Sequence, residues 1–162
     1  NQLVDTSGAP WYYEQQELGF NYRMTDIQAA LGLSQLERLD SFVTLRNQLA
    51  ASYDESLTQL WIRPQKIPDG VTSARHLYVV RVPVARHRKL FESMHQSRIG
   101  VNLHYMPVHL QPYYRSQGFT EGQFPESEVY GKEAISLPLY PEMKLSQHKR
   151  VVDFFTRYNE CG

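Results

Sequence analysis

The sequence holds one cysteine in 162 residues, Cys161, next to the last position. A lone thiol cannot close an internal disulfide, which fits a reducing compartment, and it leaves no basis for a cysteine-based metal cluster. Charge of either sign is not in excess, because 17 Lys plus Arg face 17 Asp plus Glu. Nucleic acid and anionic membrane surfaces are recognised first through a basic surplus, so neither is expected as a partner. Long apolar runs are missing too. Nothing approaches the roughly 18 to 20 residues that span a bilayer, and the first residues lack the basic, apolar and small-residue pattern of a secretory leader. The expected setting is cytoplasmic. There is no phosphate-cradling glycine motif, no Gly-x-Ser-x-Gly elbow and no His-Glu-x-x-His pair.

What is present suffices for a core of ordinary domain size, with 41% hydrophobic and 12% aromatic residues. The chain opens on Asn1 rather than Met, and Gly8, Pro10, Trp11, Tyr12 and Tyr13 follow with no regular period. Aromatics at that density need something to pack on. Residues 1–24 are therefore expected to be the tail of a larger domain.

Thr25-Asp26-Ile27-Gln28 has the form of a capping box and predicts a helix start. Ile27, Ala30, Leu31, Leu36, Leu39, Phe42, Val43, Leu49, Tyr53 and Leu57 then recur at helical spacing. They predict one helix to about residue 59, bent near Gly32 or Asp40. At 1.5 Å per residue it would be about 50 Å long, longer than a small domain is wide, so residues 25–60 read as an interdomain or inter-subunit element. Pro64, Pro68, Asp69 and Gly70 mark a loop, and residues 61–162 are expected to form a small α+β domain. Its predicted strands are His76–Val82, Val101–Tyr105 and Ala134–Leu139. Its predicted helices lie around Leu90, Phe91 and Met94 and from Ser146 through Val151, Val152, Phe155 and Tyr158. Glu126 and Glu128, just after Pro125, suit the start of a further helix.

Two stretches between these elements are dense in polar and aromatic residues, where sites tend to be placed. The first is Gly19-Phe20-Asn21-Tyr22-Arg23-Met24, in which Asn21 and Arg23 either fix the helix entry or present an amide and a guanidinium to an anion beside the positive end of the helix. The second is Gly100-Val101-Asn102-Leu103-His104-Tyr105-Met106-Pro107-Val108-His109. Its two histidines are either internally satisfied or free to bond phosphate and sugar hydroxyls. With no cysteine or third histidine nearby, they are not expected to bind metal.

Both stretches carry a resemblance. Residues 17–32, Glu-Leu-Gly-Phe-Asn-Tyr-Arg-Met-Thr-Asp-Ile-Gln-Ala-Ala-Leu-Gly, with Gln35-Leu36 and Leu39-Asp40, resemble the segment that follows the cofactor lysine in DegT/DnrJ-type sugar aminotransferases. His104 to Tyr114, Gly118-Phe119, Phe124-Pro125-Glu126 and Ala134 to Pro141 are most similar to one branch of that family. That branch makes UDP-4-amino-4,6-dideoxy-N-acetyl-beta-L-altrosamine for pseudaminic acid. The resemblance implies the C-terminal small domain of a fold-type I enzyme, with a short, mostly antiparallel sheet packed by helices and preceded by the long interdomain helix. It also implies pyridoxal 5'-phosphate as cofactor, L-glutamate as amino donor, a 4-keto UDP-sugar as acceptor and a homodimer with shared active sites. By the same resemblance Asn21 and Arg23 would serve the cofactor, and Asn21, Tyr22, His104, Tyr105, Met106, Pro107, Val108 and His109 the substrate. The chain departs from the family in lacking the Schiff-base lysine. Its lysines, Lys66, Lys89, Lys132, Lys144 and Lys149, fall in loops or polar helix positions. No catalytic residue is expected here, and this polypeptide alone is expected to be inactive. Two other readings stay open: a different 4-keto nucleotide sugar as substrate, or a non-catalytic association or ligand-sensing module.

Overall fold

The computed structural model describes residues 17–20, 22–58 and 60–160, without the side chains of residues 159 and 160. The chain divides into two compact units between Arg38 and Leu39.

In the first unit the capping box forms as the sequence predicts. The Thr25 hydroxyl accepts from the backbone N–H of Gln28 at 3.3 Å, and the Gln28 carboxamide oxygen accepts from the backbone N–H of Thr25 at 2.9 Å. Two of the orphan donors at the start of helix α1, Asp26–Leu36, are satisfied reciprocally in this way. No residue of α1 is buried, so Ile27, Leu31, Leu33 and Leu36 leave an apolar surface exposed.

The stripe read as one helix is carried by two. Helix α2 is Leu39–Leu57, and Glu37 and Arg38 form a turn before it. The break lies at neither Gly32 nor Asp40. The Arg38 N–H bonds the carbonyl of Gln35, three residues back, at 3.1 Å, so the four-residue ladder ends there.

The second unit is built on a three-stranded antiparallel sheet in the order β1-β2-β3, with β1 at Arg63–Pro64, β2 at Tyr78–Arg81 and β3 at Ala134–Leu137. The register places Tyr78 opposite Leu137, Arg81 opposite Ala134 and Arg63 opposite Arg81. Tyr78, Val79 and Val80 are buried in succession, as are all four residues of β3, so both strands read as apolar on both faces. Strand β1 was not expected, because Pro64 and the turn formers after it read as loop; on an edge strand a proline costs no ladder bond on its solvent side.

Helix α3, Val84–Gln96, runs well beyond the short segment expected around Leu90 to Met94, and α4, Pro112–Ser116, is a single short turn. Helix α5, Pro125–Glu133, opens on a proline at its first position, and α6, Leu145–Glu160, starts where its apolar stripe does. Leu49, Ala50, Tyr53 and Leu57 of α2, Leu90 and Met94 of α3, and Val151 and Phe155 of α6 close the core over the sheet.

The strand expected over Val101–Tyr105 is reduced to a single bridge, Asn102 with Ser136. The backbone groups that would extend it are taken elsewhere. The Leu103 N–H donates to the Asn102 side chain at 2.8 Å, and the His104 carbonyl accepts from the Tyr130 hydroxyl at 3.1 Å. A short polar side chain next to a strand end competes with the ladder in this way. Among the described residues no helix is long and apolar enough to cross a membrane.

Candidate functional site

The turn from His104 to His109 sits where the Asn102 bridge leaves β3. The Ser136 hydroxyl, buried in β3, meets His104 Nδ1 at 2.8 Å, and the Asn102 amide lies 3.4 Å from His104 Nε2. Both nitrogens of this half-buried ring therefore have neighbours, and its edge meets the Tyr105 ring with 4.8 Å between centroids. Burial raises the Tyr130 hydroxyl above the usual phenol range, against a smaller opposing pull from Arg81, so it remains a donor to the His104 carbonyl at neutral pH.

The middle of the turn faces outward. Tyr105 is 71% exposed, Met106 45% and Val108 59%, whereas Pro107 between them is buried. Pro107 packs on α5 at Gly131, where an added Cβ would lie 2.6 Å from the proline Cδ. Only glycine admits that approach.

His109 goes inward. It is 8% exposed, and its Nε2 lies 2.9 Å from Oε1 of Glu128, itself 6% exposed. The same oxygen accepts from the backbone N–H groups of Gly122 at 2.7 Å and Phe124 at 3.3 Å, and the Phe124 ring stands 4.8 Å from the imidazole. Burial pushes the Glu128 carboxyl up, but the His109 bond and the two backbone donors, with a further electrostatic pull from His109, hold it below the ordinary value. A carboxylate is acceptor only, so His109 carries its proton on Nε2. Of the two roles open to His109, the structure shows the internal one: the ring is engaged inside the chain, and Glu128, read as a helix-start residue, is its buried partner.

The other expected segment is described in part. Tyr22 and Arg23 are exposed, with Phe20 and Tyr22 rings 6.0 Å apart, while Asn21 lies outside the described residues. Arg23 forms no ion pair with the described residues. Its exposed guanidinium, two residues before the Thr25 cap, suits an anionic group such as a phosphate. Lys66, Lys89, Lys132, Lys144 and Lys149 are all exposed, and none sits in the desolvated surroundings that make an amine nucleophilic at neutral pH.

Beside the turn lies a groove of about 930 Å³ that the sequence did not point to, lined by Arg63, Lys66, Arg75, Arg81, Asp54 and Tyr130 among others. Arg63 and Arg81 share Glu133 Oε2 at 2.8 Å each. Tyr130 belongs to both groove and turn. The structure thus brings together Tyr105, Met106 and Val108 as an outward face and His104 at its root. Ser136, Tyr130, Glu128 and Gly131 are the supporting residues that sequence reasoning missed. Ser136 gave the one available signal, a polar residue inside the apolar run of β3. Among the described residues no group of three metal-ligating side chains converges.

Comparison with known proteins agrees with this architecture. The chain is 40% identical over 146 residues to the spore coat polysaccharide biosynthesis protein SpsC of Bacillus subtilis, covering 85% of this chain and 37% of that protein. Spr1654 of Streptococcus pneumoniae, assigned as a sugar aminotransferase, superposes in its PLP-form with a TM-score of 0.85 at 28% identity, over 93% of this chain and 40% of that one. Helicobacter pylori PseC, an aminotransferase involved in the biosynthesis of pseudoaminic acid, gives a TM-score of 0.82 at 25% identity, over 94% and 42%. The chain thus spans well under half the length of the relatives it matches. The α+β unit with its small antiparallel sheet is that of the C-terminal part of fold-type I aminotransferases. The DegT/DnrJ/EryC1/StrS aminotransferase family matches residues 4–156, and the chain belongs to that family.

Proposed function

We propose that the chain is the C-terminal part of a cytoplasmic, homodimeric aminotransferase that uses pyridoxal 5'-phosphate to move an amino group from L-glutamate to a 4-keto UDP-sugar. The acceptor is of the UDP-2-acetamido-2,6-dideoxy-4-keto-hexose type and serves surface glycan biosynthesis. The observation that carries the reading is the turn at 104–109, which sets Tyr105, Met106 and Val108 outward from a braced root, the arrangement a sugar ring needs to slide over. PseC, an aminotransferase involved in the biosynthesis of pseudoaminic acid, is among the structures the chain resembles, which is in keeping with an acceptor of this type.

The parts divide the work. Arg23, exposed and unpaired among the described residues, supplies a guanidinium for the cofactor phosphate of the neighbouring subunit, and Asn21 an amide for the same pocket. Tyr22 lies beside them on the substrate side. Tyr105, Met106 and Val108 cover the apolar face of the sugar and exclude water from it. His104, fixed at Nδ1 by Ser136, orients the hydroxyls at the rim, and Pro107 and His109 hold the turn itself. The cofactor, when bound, supplies the electron sink on which the amino group changes carbon. The amine that anchors it comes from a part of the enzyme outside this chain, since the five lysines here are exposed.

The test is amination by the complete enzyme supplied with L-glutamate and either the UDP-4-keto-hexose or a TDP-4-keto-6-deoxyhexose, followed by mass spectrometry of the sugar nucleotide. The account expects a product with the ketone replaced by an amine from the UDP-sugar, and kcat/KM at least tenfold lower for the TDP-sugar, about 1.4 kcal/mol of discrimination. Faster turnover of the TDP-sugar moves the enzyme to another branch, and amination of neither sugar removes the reading.

A further inference from the structure

Three donors from two segments of the chain meet at one oxygen. Glu128 Oε1 accepts from His109 Nε2 at 2.9 Å, from the Gly122 N–H at 2.7 Å and from the Phe124 N–H at 3.3 Å. The carboxylate is 6% exposed and His109 8%, so water does not compete for these bonds. The Phe124 ring closes over the imidazole at 4.8 Å. Five residues earlier in the same turn, His104 is held by Ser136 and Tyr130, and midway Pro107 is seated on Gly131. The exposed residues Tyr105, Met106 and Val108 thus alternate with three internal anchors. Two anchors use a hydroxyl and a proline ring, groups of fixed chemistry. The third is an ionised carboxylate bonded to an imidazole, and its oxygen bonds both the turn and the 122–124 loop.

We propose that Glu128 is a positioning residue for the sugar-nucleotide acceptor: by fixing the His109 ring and the 122–124 loop on one carboxylate oxygen, it sets where Val108 and Met106 stand against the bound sugar. The proposal rests on the aminotransferase reading above. Glu128 touches no substrate and moves no proton in the reaction. Its effect is on how well the acceptor is held before and during reaction, not on the chemical step, so it belongs in KM far more than in kcat. A glutamine keeps an acceptor oxygen at the same place and so preserves much of the arrangement; an alanine leaves His109 and two backbone N–H groups without their partner.

The test compares the complete wild-type enzyme with Glu128→Ala and Glu128→Gln in steady-state kinetics with the UDP-4-keto-hexose, alongside nitrogen-15 NMR of the histidine side chains at pH 7.5. Expected for Glu128→Ala is a KM raised about tenfold or more with kcat within about threefold, and a His109 ring that divides between tautomers. Glu128→Gln is expected to stay within about threefold of wild-type KM and to keep the proton of His109 on Nε2. A wild-type KM in Glu128→Ala, beside an active wild-type enzyme, overturns the proposal. So does an equal loss in kcat. Should the alanine variant not fold, a tenfold KM rise in Glu128→Gln with His109 unchanged overturns it, and near-wild-type kinetics with His109 unchanged supports it. If the wild-type enzyme aminates no ketosugar, the functional reading fails and takes the acceptor role with it; the NMR result then still reports whether Glu128 fixes His109, which separates the two failures.

Discussion

The turn at 104–109 and the segment at 19–24 look alike in sequence, each a short run of polar and aromatic residues between regular elements, yet they are held in opposite ways. The turn is anchored at His104, Pro107 and His109 by groups of its own unit, and only Tyr105, Met106 and Val108 remain free. In the other segment Phe20, Tyr22, Arg23 and Met24 are all exposed. The difference is between a turn braced by its own unit and side chains left exposed among the described residues. Preorganisation lowers the ordering cost of binding, so the turn suits recognition of a neutral sugar that offers few strong contacts. An exposed guanidinium suits an anion, where charge-assisted bonds outweigh that cost.

The contrast can be broken most severely at Gly131. Gly131→Ala puts a methyl 2.6 Å from the Pro107 Cδ and must push the turn away. A stability loss of about 1 to 3 kcal/mol is expected in chemical denaturation. Ketosugar KM should rise, while retention of the cofactor stays as in wild type. Unchanged stability would show that the turn gives way freely and is not preorganised.

The segment's counterpart is the capping box. Thr25→Ala removes the hydroxyl that accepts from Gln28, and a loss of about 1 kcal/mol is expected, read as reduced amide protection in the first turn of α1 by hydrogen exchange. Protection around Pro107 should not change.

Acid acts on the second unit through two separate groups. His148 is buried with Nε2 unpartnered, its ring 4.0 Å from that of Tyr53, and burial holds its pKa below the ordinary 6.5, against a smaller upward pull from the Leu49 backbone. The unfolded chain then binds a proton that the folded chain does not. Stability is full above about pH 6.5 and falls as pH drops from there towards the lowered folded value. Glu128 acts in a different window: its pKa is depressed when folded, so its contribution is present above the ordinary 4.5 and is lost as pH falls through the folded value. Denaturation midpoints of wild type and His148→Phe between pH 7.5 and 5.5 test the first effect, with the variant expected to lose the slope.

Much of this architecture was legible in advance because each signal was local. The Thr25–Gln28 box, the apolar stripe of α6 and the largely apolar runs of β2 and β3 all act through neighbours in sequence. What was hidden depends on long-range partners. Nothing near Glu128 announces that its partner is His109, 19 residues away, and a glutamate after Pro125 satisfies the ordinary helix-start pattern equally well. The strand at 101–105 failed because Asn102 and Tyr130 take its backbone groups, a competition that propensity cannot see. Strand β1 was masked by its own proline. Two elements stood where one helix was expected because periodicity continues through Glu37 and Arg38 although the ladder does not. On spacing alone the histidines were open to either role; the resemblance to the aminotransferases offered both to the substrate, whereas the His109 ring is bonded inside the chain to Glu128.

The account turns on the division of labour between Arg23 and the turn, and retention of the cofactor measures it directly. The complete enzyme, its Arg23→Ala variant and its Tyr105→Ala variant are dialysed without added pyridoxal phosphate, and the cofactor absorbance remaining per subunit is recorded. Arg23→Ala is predicted to lose most of its cofactor while Tyr105→Ala keeps it at the wild-type level; full retention in Arg23→Ala would contradict the account.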